Sequence, residues 1–168
     1  WKADEARERD LMAEALVAGV IDEIHFKPLF PYPLRYRDAL AEEIELLKAR
    51  NLSMFADGRW ESVGRPVENL DHALLEMASS AGASDERVEW LIPLFGGRGG
   101  FRFEAWIPGD VWPEADRALL LDSNGTILGW GLLDVEKRGP GATMLPSPRE
   151  GQQSLIAFGR LPAKLPGM

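Results

Sequence analysis

The chain has 168 residues, 45% of them hydrophobic and 27% charged, a length and composition that allow one compact domain or two small subdomains burying roughly 70% of the unfolded surface. A formal net charge of -8 excludes a nucleic-acid binder built on a stripe of Lys and Arg and argues against adsorption to anionic lipid. The absence of cysteine excludes thiol nucleophiles, thiolate metal sites and disulfides.

From Ala3 to Ile21, Leu11, Ala15, Leu16 and Val20 recur at helical spacing, with acidic residues crowding the first turn where the helix dipole favours them. This predicts a helix ending near Gly19. Pro28, Pro31 and Pro33 then interrupt any long helix and leave a short helical turn around Asp22 to Phe26. A second helix is predicted from just after Pro33 to about Arg50, since Leu34, Ala39, Leu40, Ile44 and Leu47 recur at three and four residues. Asn51 suits its C-terminal cap. Residues 52–68 read as short irregular pieces, and residues 69–82 as a short third helix whose apolar positions fit the period only in part.

Beyond residue 86 the period becomes strand-like. RVEWLIPLF, GFRFEAWIP, RALLLDS, GTILGWGLL and QSLIAFGRL are five apolar or alternating runs separated by Gly, Pro, Asn and Asp. In FRFEAWI, Phe101, Phe103, Ala105 and Ile107 fall on one side and Arg102, Glu104 and Trp106 on the other, which predicts a sheet with one buried face. The expected fold is α+β: an N-terminal helical hairpin packed on a small antiparallel β-sandwich or open barrel. Its parts are a helical subdomain at 1–57, a connecting segment at 58–85 and a β subdomain at 86–168. EKRGPGATMLPSPREG reads as a long loop.

No catalytic constellation, metal-ligand set or cofactor motif is visible. Asp122-Ser123-Asn124-Gly125 offers two of the oxygens of a calcium loop but lacks the closing Glu, and reads as a tight hairpin with Gly125 at positive φ. GGRGG at 96–100 lacks the Lys-Ser/Thr ending of a phosphate-binding loop and leads into a strand, as a hairpin connection does. His25 and His72 are the only histidines; neither has local partners for a metal site or triad, and His72 with Glu76 makes a surface i, i+4 pair. Asp110, Glu114 and Asp116 could supply two carboxylates for glycoside chemistry, although loop carboxylates beside Pro are usually solvated. Tryptophan is the more informative residue: Trp60, Trp90, Trp106, Trp112 and Trp130 lie in the β or loop part, where exposed rings can stack on sugar faces, although burial in the core is the commoner fate of each. The strand alternation makes Trp106 the candidate for exposure, with Trp112 and Trp130 as neighbours in a ligand-binding surface.

The string EALVAGVIDEIHFKPLFPYPLRYRDALAEEIELLKARNLSMFADG resembles the segment that follows the last membrane-spanning helix in many bacterial polytopic, glycosyltransferase-like membrane proteins. The shared pattern is a helix, the step Gly19 to Glu23, the corner Leu29-Phe30-Pro31, and a helix ending in Leu52-Ser53-Met54-Phe55. The match covers roughly residues 1 to 57. LLLDSNGTILGWG and SLIAFGRLP are similar to the β region that often follows, although the cysteines of many relatives are missing and the loop from Val135 to Gly151 is unusual in its Pro and Gly content. The resemblance implies an extracytoplasmic domain, periplasmic or at the cell surface, C-terminal to a membrane region that would carry any chemistry. It transfers no catalytic residue.

A chain opening on Trp1 reads as part of something longer, although removal of a tag gives the same start; no signal peptide precedes the first helix, and no apolar run approaches the roughly 20 residues of a spanning helix. The leading expectation is a non-catalytic accessory domain of a membrane protein linked to cell-envelope glycan assembly or transfer. Its partners are the membrane region of its own parent chain and an envelope glycan, not nucleic acid, and it needs no cofactor or metal. The alternative is a free-standing soluble carbohydrate-active enzyme using Asp110, Glu114 or Asp116.

Overall fold

Lys2–Ala18 forms the predicted first helix, α1, in a computed structural model that describes residues 2–26, 33–70, 84–95, 99–109, 117–133 and 150–161 of the chain. Residues 5 to 10 are exposed or half-buried, whereas Leu11 and every residue from Glu14 to Ala18 are buried, so the helix dives into the molecule as it ends. Gly19 stops it with φ at +75°, in the left-handed region that costs glycine least. The chain then contributes two residues, Val20–Ile21, to a sheet as β1, before the short helix α2 at Glu23–Phe26.

A 3-10 turn at Pro33–Tyr36 leads into α3, Arg37–Ala49, as the apolar spacing predicts. Asn51 takes φ +49° beyond its end. Short 3-10 turns at Ser53–Phe55, Arg59–Ser62 and Val67–Asn69 replace the irregular pieces. Residues 71–82 of the predicted third helix lie outside the described residues, as do residues 134–149 of the long loop.

The five predicted strands are β2 (Ser84–Pro93), β3 (Gly100–Pro108), β4 (Arg117–Leu121), β5 (Ile127–Leu133) and β6 (Gln152–Arg160). With β1 they make one open antiparallel sheet in the order β1-β2-β3-β6-β5-β4. Strand β6 is inserted between the hairpins β2-β3 and β4-β5, and its nine residues pair along the whole of β3 from Gly100↔Arg160 to Pro108↔Gln152.

Register defines the two faces of the sheet. Arg102, Phe158, Trp130 and Leu119 align across β3, β6, β5 and β4, and α1 packs on this face over β5 and β6. One core joins both ends of the chain there: Leu11, Ala15, Leu16, Phe26 and Ile44 from the helical part meet Trp130, Ile156 and Phe158 from the sheet. On the other face Phe103, Ala157, Gly131 and Ala118 align, beside a smaller cluster of Ile107, Leu133, Leu155 and Ala157. The sheet therefore does not have a single buried face. Arg102, Glu104 and Trp106 are as buried as Phe101 and Ile107, with Arg102 engaged there by Asp22 from the β1–α2 corner.

Candidate functional site

Of the residues predicted to bind ligand, the two that are described, Trp106 and Trp130, are buried. Trp106 is only 2% exposed, opposite Ser154 on β6 and Ser84 on β2, so the exposure that alternation suggested for it is not found. Trp130 is also buried. Its indole N–H donates to Ser62 Oγ at 3.0 Å, and the Arg59 guanidinium carbon lies 5.5 Å from its ring centroid. Both rings are part of the packing. Trp112 lies outside the described residues, as do Asp110, Glu114, Asp116, His72 and Glu76.

The DSNG turn is occupied by its own backbone. Asp122 Oδ1 accepts from the amides of Asn124 and Thr126 at 2.8 and 2.9 Å, Gly125 sits at φ +77°, and the Gly125 carbonyl accepts from the Val67 amide at 2.8 Å. The hairpin is a wall tied to the preceding 3-10 turn. Of GGRGG, Gly99 and Gly100 are described; the Gly99 carbonyl accepts from Leu161 at 3.3 Å and Gly100 pairs with Arg160 in the sheet.

What the structure does gather is a set of buried charges at the seam between helices and sheet. Arg59 Nη1 donates to both carboxylate oxygens of Glu14 at 2.9 and 2.7 Å, and its Nε donates to Asp57. Arg117 Nε adds a longer contact to Glu14 at 3.3 Å. Burial works against the Arg59 charge, but the Glu14 and Asp57 carboxylates outweigh it and raise its pKa above the ordinary value. Arg102, on the central strand β3, meets Asp22 between β1 and α2, Glu89 on β2 and Glu104 two residues along its own strand. Here too burial opposes the charge and the carboxylates, Asp22 foremost, overcome it.

His25 extends this second group. It is buried, its Nδ1 lies 2.8 Å from Glu8 Oε2 on α1, its Nε2 is 3.6 Å from Asp22 Oδ2, and its ring meets Phe158 edge-on at 6.0 Å. Of its two partners, Glu8 comes from α1, seventeen positions earlier, whereas Asp22 stands three positions away in the local sequence. Among the described residues, no group of three or more His, Asp or Glu is arranged to hold a metal ion.

Two concave surfaces accompany these groups. A groove of about 440 Å³ between α1 and α3 is lined by Met12, Leu16, Phe26, Tyr36, Leu40 and Glu43 among others. A cleft of about 350 Å³ over β2 and β3 is lined by Arg87, Val88, Glu89, Arg102 and Glu104.

The feature that sequence reasoning missed is the outer rim of β2. Trp90 is 65% and Val88 55% exposed, with Ile92 beside them. The Trp90 ring touches Phe101 edge-on, 6.2 Å between centroids. The signal was present in RVEWLIP, where Val88, Trp90 and Ile92 alternate with Arg87, Glu89 and Leu91. The ion pairs had no such signal, since Arg59 and Arg102 find carboxylates 45 and 80 positions away.

No helix among the described residues is long and apolar enough to cross a membrane. Compared with known proteins, the chain matches no family model, no curated protein and no solved structure.

Proposed function

We propose that the chain is a non-catalytic accessory domain, carried on the extracytoplasmic side of a longer membrane protein concerned with the assembly or transfer of cell-envelope glycans. The observation that carries the non-catalytic part is the engagement of the inner charges. Arg59 is held by Glu14 and Asp57, which joins α1 to the 3-10 turn, and Arg102 by Glu89 and Glu104 within the sheet and by Asp22 at the β1–α2 corner. A general acid or base must bring a carboxyl to the substrate; Glu14, Asp22 and Glu104 are buried against arginines instead. The membrane and glycan parts of the reading are supported by the resemblance of residues 1 to 57 and of the LLLDSNGTILGWG and SLIAFGRLP strands.

The genomic reading frame tests it. An upstream coding region in the same frame with several apolar spans of about 20 residues is expected, and the purified chain should neither cleave nor transfer sugar when incubated with envelope oligosaccharides. A start codon at or just before Trp1 together with turnover that is lost on replacing Asp110, Glu114 or Asp116 would overturn the reading in favour of a free-standing carbohydrate-active enzyme.

A further inference from the structure

Strand β2 is an edge for most of its length. Among the described residues, its outer side is paired only by Val20 and Ile21 of β1, opposite Pro93 and Ile92. From Arg87 to Leu91 the inner side pairs with β3, while the outer backbone groups have no partner strand among the described residues. Such a row of donors and acceptors is a template for another strand. Proteins commonly blunt it with charges, proline or a bulge. Here Asp85, Glu86 and a register irregularity between Ser84 and Arg87 blunt the start of the strand, and the regular edge beyond them carries Arg87 and Glu89, of opposite sign, alternating with the exposed Val88 and Trp90.

The geometry points to β2 as a homodimer interface, in which two copies of this chain pair their β2 strands antiparallel about a two-fold axis at Val88 and extend the sheet through both molecules. The sequence of the strand selects that axis. With the two-fold at Val88, Arg87 lies opposite Glu89 of the second copy and Glu89 opposite its Arg87, so both cross-strand pairs join opposite charges. An axis at Arg87 or at Glu89 would set like charges directly opposite each other. An axis between residues would set the Arg87 and Glu89 face of one copy against the Val88 and Trp90 face of the other, because a one-residue slip reverses every side chain.

At the selected register the two Val88 side chains meet on the axis, and each Trp90 lies diagonal to Val88 of the other copy, within reach of a large ring. Pairing thereby sets the exposed Val88 and Trp90 of both copies side by side on one face of the extended sheet. The cleft lined by Arg87, Val88, Glu89, Arg102 and Glu104 opens on the same seam, where Glu89 already bonds Arg102. The pairing is a property of the domain itself and does not depend on the membrane or glycan reading above.

Because the chain has no cysteine, Val88→Cys introduces a single thiol. Light scattering on the parent chain at rising concentration should approach twice the mass of one chain. Under mild oxidation Val88→Cys should cross-link to a disulfide dimer much faster than the exposed control Arg50→Cys, since the axis brings the two side chains at 88 face to face. Val88→Lys and Val88→Glu, both at an exposed position and checked for folding by circular dichroism, should each stay single, with dimerisation weakened about tenfold or more, a change of roughly 1.4 kcal/mol. An equimolar mixture of the two should recover the dimer. A parent chain that stays at the mass of one copy, with cross-linking at 88 no faster than at 50, would overturn the proposal. So would a dimer that both charged variants keep. A single-copy chain whose tryptophan fluorescence responds to envelope oligosaccharides, with the response lost in Trp90→Ala, would also overturn it, and would assign the rim to a glycan.

Discussion

Lys48, on α3, is a cation held among rings: its Nζ lies 4.1 Å from the Phe95 ring centroid, 5.2 Å from Trp60 and 5.8 Å from Phe55, with Glu45 Oε1 at 3.2 Å. Burial pushes its pKa below the usual 10.5, with Glu45 pulling the other way and Arg160 adding repulsion. Between the lowered value and 10.5 the unfolded chain therefore holds more protons on this group than the folded one, and the contribution of Lys48 to stability rises with pH through that window. Urea unfolding of the parent and of Lys48→Met from neutral pH to about pH 10.5 should show the parent gaining on the variant as pH rises; a constant difference would refute the assignment. Single residues were the least legible level of the sequence. The strand alternation placed Trp106 correctly opposite Phe101 and Phe103, yet it could not reveal that its side of β3 is buried as well. Arg102 and Glu104 read as solvent-facing for the same reason.

At the scale of elements the sequence was read more fully, because helix and strand periods are local properties. The helices α1 and α3 and the strands β2 to β6 lie where their apolar spacing puts them. Strand β1 escaped notice because two residues have no period, and its pairing depends on Ile92 and Pro93 far along the chain. Strand order also lay beyond local pattern: β6 enters between β3 and β5. That insertion explains the glycines of GTILGWGLL. A Cβ at Gly129 would run into the Phe158 carbonyl and the Gly159 backbone, and one at Gly131 would meet Ala157, so β5 and β6 approach more closely than side chains there would allow. Gly129→Ala should lose about 3 kcal/mol of unfolding free energy. Gly99→Ala, whose added methyl would only touch the Trp90 ring at 3.5 Å, should stay within about 0.5 kcal/mol of the parent. Equal losses in a denaturant titration would contradict this account of the sheet.

For the whole molecule, an open sheet is covered on one face by helices, and the seam is fastened by ion pairs as well as by the shared apolar core. The pair of Arg59 with Glu14 joins α1 to the 3-10 turn that supports Trp130. The group around Arg102 joins β3 to the β1–α2 corner and, through Asp22 and His25, to Glu8 on α1. Buried pairs of this kind are not in themselves a net gain over a well-packed apolar core, but removing one partner leaves the other charged and desolvated. The candidate site was illegible in the sequence because it is assembled from these long-range contacts, while the rim of β2 was legible in its alternation.

The claim that these inner charges serve as structural fasteners is tested most directly by urea unfolding of Arg102→Met beside the triple variant Asp22→Asn, Arg102→Met, Glu104→Gln. Leaving Asp22 and Glu104 buried without their cation should cost Arg102→Met about 3 to 5 kcal/mol, and neutralising both carboxylates should return at least half of that loss. A loss under about 1 kcal/mol for Arg102→Met, in the range of an exposed pair, would contradict the account.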